Sequence, residues 1–233
     1  MLTMEHIEVY GFNAAIRGMR NPMNSWDKSD SHISSKENKL GPNDFNLMVK
    51  LRNAGTDHRK YLRMINVYCD ITAPLYWWKE FDTYKVGTVA NSCSTMHKLM
   101  SKPFEWSDFS TDGMLQVDES YEEDAVDPKN CVTYILGEGA LRATIETLND
   151  LRQEYLIFNG DSDYEKDRRT RAWRTCVMLL PEAYNQRRTV MMNYETLNNI
   201  YAARKAHKLS EWHIFCRYVS LLPWANDLIV KEC

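Results

Sequence analysis

The strict alternation of Ile65, Val67, Cys69, Ile71 and Ala73 with Asn66, Tyr68, Asp70 and Thr72 narrows most what this chain can fold into. A period of two sends the apolar set to one face of a strand and the polar set to the other, so the segment needs a sheet and one covered face. Pro74 ends the strand, and its fixed φ suits the first turn of a helix that runs through Leu75 to Phe81.

Helical spacing surrounds this strand. Phe45, Met48, Val49 and Arg52 share one face, which Gly55 closes. From Gly139 to Phe158, Leu141, Ile145, Leu148, Leu151, Tyr155 and Phe158 repeat at helical spacing, and Trp173, Val177 and Leu180 continue the pattern before Pro181. Val190, Met192 and Tyr194 then alternate with Thr189, Met191 and Asn193 as a second short strand. Thr196 is expected to cap a helix through Arg204, and Ser210 another through Leu222. Unpaired amides at such strand-to-helix junctions attract anions. Together these elements predict an α/β (α+β) fold, a central sheet flanked by helices.

A chain of 233 residues with 44% hydrophobic content can bury one sizeable core, so one domain is expected over residues 1–233. Two polar stretches interrupt it. Asn21 to Asp44 reads as a long surface loop, and Ser107 to Asn130 as a solvated acidic excursion, since Glu119, Glu122, Glu123, Asp124 and Asp127 lack EF-hand spacing.

The formal net charge of −3 gives no chain-wide field for phosphate backbones, which argues against polymeric nucleic acid as a partner. No apolar run approaches the roughly 20 residues of a membrane span, and Met1 to His6 has no leader pattern, so a cytoplasmic protein is expected. The cysteines at 69, 93, 131, 176, 216 and 233 show no zinc spacing and read as reduced thiols. Cys93, between Ser92 and Ser94, has no histidine placed by the sequence to activate it.

Two segments carry a family resemblance. The first is Asp57-His58-Arg59-Lys60-Tyr61-Leu62, then the alternating strand and Ala73-Pro74. The second is Leu180-Pro181 followed without gaps by Arg187, Asn193, Leu197, Asn199 and Arg204. Both resemble the flavin-dependent thymidylate synthases, in which a histidine precedes a strand ending near Ala-Pro, and Leu-Pro precedes N-x-R-S-L-x-N-F-L-x-x-R. The family signature R-H-R-x-x-S-x-N-E-x-S falls on the stretch from Thr83 or Tyr84 through Ser94, where its leading arginine and its glutamate are absent. The arginine that grips the nucleotide phosphate in the family stands at Glu195, which on a gapless match faces the phosphate pocket.

Carried over position by position, the resemblance implies FAD contacts from His58, Lys85, Asn193 and Asn199. It implies contacts to a pyrimidine deoxynucleotide from Glu80, Asn91, Ser94, Arg187 and Arg204, with Arg204 reading the uracil ring. Lys79, Lys85, Arg187 and Arg188 are candidate replacements for the missing phosphate ligands. The implied reaction is reductive methylation of dUMP with FAD, NADPH and methylenetetrahydrofolate, in a homotetramer or dimer of bacterial or phage type. It calls for no protein nucleophile. Tyr76, Trp77, Trp78 and Phe81 offer either a stacking surface or, as the preferred reading, a subunit interface. Two functions stay open: a divergent flavin-dependent methyltransferase, or a non-catalytic protein that keeps the fold to bind another protein or a nucleotide.

Overall fold

The computed structural model describes residues 2–33, 38–114 and 137–231. Its contacts divide these into two compact units. One comprises residues 2–73, 77–92 and 187 onward; the other comprises residues 74–76 and 93–186.

The first unit is built on a four-stranded sheet in the order β1 (Thr3–Tyr10), β4 (Asn66–Pro74), β6 (Asn185–Asn193), β5 (Thr88–Ser92). The alternating strand β4 lies inside this sheet, with β1 antiparallel beside it and β5 antiparallel on β6. Val67, Cys69, Ile71 and Ala73 are all buried, as the period of two requires, and Val190 and Met192 of β6 join them. The chain around these strands forms the helices α1 (Phe12–Arg20), α2 (Pro42–Asn53), α3 (Leu75–Phe81), α6 (Tyr194–Arg204) and α7 (Ser210–Ser220). On α1 the buried Phe12, Ala15, Ile16 and Met19 fall at i, i+3, i+4 and i+7.

Trp77, Trp78 and Phe81 correct the interface expectation. They are buried within this unit, where the Trp77 ring lies 5.1 Å from Phe81, 4.8 Å from Trp212 and 5.7 Å from Phe215. These three rings of α3 are consumed by packing within the unit, and of the expected aromatic cluster only Tyr76 stays half-buried.

The described residues of the stretch Asn21 to Asp44 are likewise more ordered than a loop. It holds two 3-10 turns, Asn21–Met23 and Trp26–Lys28, and the small hairpin of β2 (His32–Ile33) with β3 (Asn38–Lys39). Its far end already belongs to α2. A buried carboxylate organises it: Asp44 accepts from Arg20 Nε at 2.6 Å, from the Ser29 hydroxyl, and from the amides of Asp30 and Ser31.

The second unit is the antiparallel pairing of α4 (Gly137–Ile157) with α5 (Asp163–Leu179) and the chain packed on it. Leu141, Leu148 and Cys176 bury with Leu99, Met100, Phe104 and Phe109. Of the second polar stretch, the part through Met114 contains the 3-10 turn Trp106–Asp108, where Glu105 and Asp108 form a capping box. The acidic residues at 119, 122, 123, 124 and 127, and Cys131 and Cys233, lie outside the described residues. Among the described residues no helix is long and apolar enough to cross a membrane.

Candidate functional site

The β6-to-α6 junction, where an anion site was expected, is already satisfied by the chain itself. Asn193, rather than Thr196, caps α6: its side-chain oxygen accepts from the Thr196 amide at 2.9 Å. The Thr196 hydroxyl donates instead to the Val86 carbonyl at 3.0 Å, and the Asn193 amide donates to Gly87 at 3.3 Å. Gly87 has φ +76, and a Cβ there would collide with the side-chain Nδ2 of Asn193, so only glycine lets the turn before β5 pass this close. At the next helix Leu209 is the N-cap and Ser210 the first helical residue, and α7 ends at Ser220.

Glu195 sits in the first turn of α6, where its charge complements the helix dipole. Its carboxylate does not face an open phosphate pocket. It is buried and paired with Arg59 at 3.4 Å and with Arg63, both from the 3-10 turn Arg59–Met64 that leads into β4. Arg59 is held on all sides, since it also donates to Asn198 Oδ1 and Asn199 Oδ1 at 3.1 Å each. Arg63 stays half exposed. The charge inversion at 195 is thus compensated by two cations on the neighbouring turn. Their i, i+4 spacing was visible in the sequence, but nothing there pointed them at α6.

The other end of α6 carries Arg204. Its Nε donates to the Tyr84 hydroxyl at 2.8 Å and its Nη1 to Glu80 at 2.8 Å, and the guanidinium lies 4.7 Å from the centre of the Trp212 ring. Glu80 also accepts the Trp212 indole N–H at 2.8 Å, and His207 approaches it at 3.4 Å. Two of the residues assigned to the substrate, Glu80 and Arg204, therefore meet in one ion pair clasped between aromatic rings. Tyr84, His207 and Trp212 complete this cluster and had no signal in the sequence beyond their type.

Arg187 and Arg188 diverge, as neighbours on a strand must. Arg187 pairs with Asp70 at 2.7 Å on the polar face of the sheet, while Arg188 pairs with Asp82 at 2.7 Å and lies 4.1 Å over the Trp78 ring. Hydrogen bonds from Arg187 and Thr189 hold the Asp70 carboxyl below its usual range. Asn91 is exposed on β5 opposite Thr189, and Lys85 is exposed with no ion pair among the described residues. Ser94 belongs to the other unit, where its hydroxyl accepts from the amides of Met96 and His97 at 3.2 and 3.0 Å.

His58 stands at the rim of a cleft of about 700 Å³. Met19, Leu47, Leu51 and Met64 wall it, and Asp57 and Lys60 share the rim. The cleft is apolar inside and charged at its edge, which suits a flat ring system with a polar tail. The buried cysteines offer no chemistry, since burial pushes the Cys69 thiol up to about 12 and those of Cys176 and Cys216 up to about 11. Cys93 is exposed, and no histidine is hydrogen-bonded to it among the described residues.

No family model and no curated protein matches the chain by sequence. Solved structures match it by fold. A crystal structure of Thymidylate Synthase X from Helicobacter pylori with FAD and dUMP aligns at a TM-score of 0.64 and 16% identity, over 99% of this chain and 99% of that one. A second structure of the flavin-dependent enzyme from that organism, complexed with FAD and dUMP, aligns at 0.64 and 17% identity, over 99% and 98%. A UMP/dUMP methylase, PolB from Streptomyces cacaoi, bound with 5-Br dUMP, aligns at 0.58 and 12% identity, over 97% and 91%. The chain has the fold of the flavin-dependent thymidylate synthases.

Proposed function

We propose that this protein binds FAD and a pyrimidine deoxynucleotide and acts as a divergent flavin-dependent nucleotide methyltransferase. The observation that carries the reading is the end-to-end likeness to two structures that hold FAD and dUMP, with 99% of this chain included in each alignment. A shared fold alone hosts many functions, so the site must support the reading too.

It does so at the His58 cleft. The thioether and aliphatic walls would take the face of a flavin ring, and His58 with Lys60 would meet its anionic tail. A bound flavin supplies the hydride chemistry, so the chain needs only to bind, orient and exclude water. In this reading NADPH and methylenetetrahydrofolate are co-substrates, Arg204 is held ready by Glu80 and Trp212 to present its guanidinium to a base, and the protein is a homo-oligomer.

One observation favours the second reading, a non-catalytic nucleotide- or protein-binding module. Arg59, Arg63, Arg187, Arg188 and Arg204 each have a carboxylate partner, so a phosphate arriving at any of them must displace an anion already in place.

The absorption spectrum of freshly purified protein separates the two. Flavin bands that survive dialysis, or that appear on titration with FAD and weaken in H58A, are the expected result. Protein that is colourless and takes up no FAD overturns the flavin reading and leaves the binding module.

A further inference from the structure

The polar face of the sheet takes no part in the His58 cleft or in the ties of α6. From β1 and β4 the inward residues Met4, Val67 and Ile71 are buried, whereas Glu5, Glu8, Tyr10, Tyr68 and Asp70 point the other way and reach solvent. We propose that this face docks a basic segment of a partner protein, with an arginine side chain seated between Glu8 and the rings of Tyr10 and Tyr68.

The charge of the face is unbalanced. Glu5, Glu8 and Asp70 each bring a carboxylate to its β1–β4 half, and Arg187 answers two of them, Asp70 at 2.7 Å and Glu5 at 3.5 Å. The Thr189 hydroxyl donates to the second oxygen of Asp70 at 2.6 Å, and His6 adds to the hold on that carboxylate, so this cluster is closed. Glu8 is left over. Among the described residues no cation pairs with it, and it accepts only the Tyr10 hydroxyl, at 2.8 Å. That hydrogen bond and the charge behind it push the Tyr10 hydroxyl above its usual value, the mark of a negative field beside the ring.

The rings complete the seat. Tyr68 stands directly across from Glu8 in the β1–β4 register, and the Tyr10 and Tyr68 rings meet edge to face with 6.2 Å between their centres. They are 58% and 41% exposed, so both offer π surface next to the carboxylate. A guanidinium can lie on a tyrosine face while its forked N–H groups reach a carboxylate, which a single ammonium does less well. Two other occupants fit worse. A strand added to the β1 edge needs an unbroken ladder, and the bulge between Glu5 and Glu8, with His6 at φ 50, interrupts it. A second copy laid on this face about a two-fold axis would set the surplus negative charge against itself.

Fluorescence anisotropy on the full chain tests this with a labelled peptide of four Arg-Ser repeats, read against the corresponding Lys-Ser and Glu-Ser peptides. The arginine peptide is expected to bind about two- to fivefold more tightly than the lysine peptide, and the glutamate peptide not at all. E8Q should weaken it about tenfold, the low end of one charge-assisted contact, and Y10L and Y68L by about two- to fivefold each. E146Q removes the same charge from an exposed position on α4 and should leave binding unchanged. Circular dichroism confirms that each variant is folded, and FAD uptake on the same samples keeps failure here distinct from failure of the flavin reading. The proposal is overturned if the arginine peptide does not bind, if folded E8Q, Y10L and Y68L bind it as the parent does, or if E146Q weakens it as much as E8Q. It is also overturned if light scattering shows an oligomer that E8K disperses, which would assign the face to a second copy.

Discussion

Replacing Glu195 with glutamine removes the carboxylate that holds Arg59 and Arg63 against α6. The Arg59–Glu195 limb is the energetic one, because its two side chains are 14% and 11% exposed, whereas Arg63 is 56% exposed and screened by water. At 3.4 Å and an effective dielectric near 20, the gross attraction is about 5 kcal/mol. The amide avoids the cost of burying a carboxylate, and Asn198 and Asn199 still solvate Arg59, so about 2–3 kcal/mol of net loss remains. For a chain of this size that lowers the melting temperature by about 4–12 °C, read by circular dichroism. E195R places three guanidiniums together and is expected to lose more, without gaining affinity for dUMP. The reasoning is refuted if E195Q melts with the parent chain, or if E195R is as stable as the parent and binds dUMP more tightly. The second result would restore Glu195 to a phosphate pocket. A double-mutant cycle with R59Q isolates the pair, since both single changes should cost nearly what the double change does.

Two further outcomes follow from other elements. Burial raises the Asp44 carboxyl, but hydrogen bonds from Ser31, Ser29, Arg20 and the Asp30 amide outweigh it and hold the group below its usual value. Its stabilisation is complete above the unfolded value near 4 and disappears as pH falls through the lower folded value, so D44N, which breaks a buried pair worth about 3–5 kcal/mol, should flatten this part of the acid-unfolding curve. G87A drives a Cβ into the Asn193 cap at positive φ and should cost about 2 kcal/mol in urea unfolding; a neutral effect would show that the β5 turn does not rest on α6.

The interior of the sheet was readable because alternation and burial are one physical fact seen twice. Ile65 to Ala73 had to be a covered strand whatever surrounded it. The edge strands carried no such signal. On β5 Thr88 is only half-buried and residues 89–92 are exposed, and β1 buries only Met4 while His6 breaks its register at φ 50, so neither shows a period of two. The spacing Phe12, Ala15, Ile16, Met19 of α1 was present, but a nine-residue helix after an unmarked strand is easily passed over. Partners are the harder loss. A sequence names Arg59, Asp44 and Glu195 but not the distance between them, and Glu195 read alone looks like a destroyed phosphate site. The aromatic run of α3 failed for the same reason: its packing partners, Trp212 and Phe215, stand more than 130 residues later.

What α6 joins bears on which ligand the protein can hold. One end is tied through Glu195 to the turn before β4, and the other through Arg204 to Glu80 and Trp212. At each tie a cation already has its anion, so a phosphate arriving there gains only the difference between two charge-assisted contacts of about 1.5–3 kcal/mol each. An anion gains the full contact only where a cation has no carboxylate. Among the described residues those places include Lys60 beside His58 at the apolar cleft, Lys85 in the turn before β5, and Arg169 in the helical hairpin. The first two lie in the sheet unit, where the flavin reading needs its donors; the third lies in the other unit. An anionic ligand would therefore gain most at the cations that the chain's own carboxylates leave open, and least at Arg59, Arg63 and Arg204.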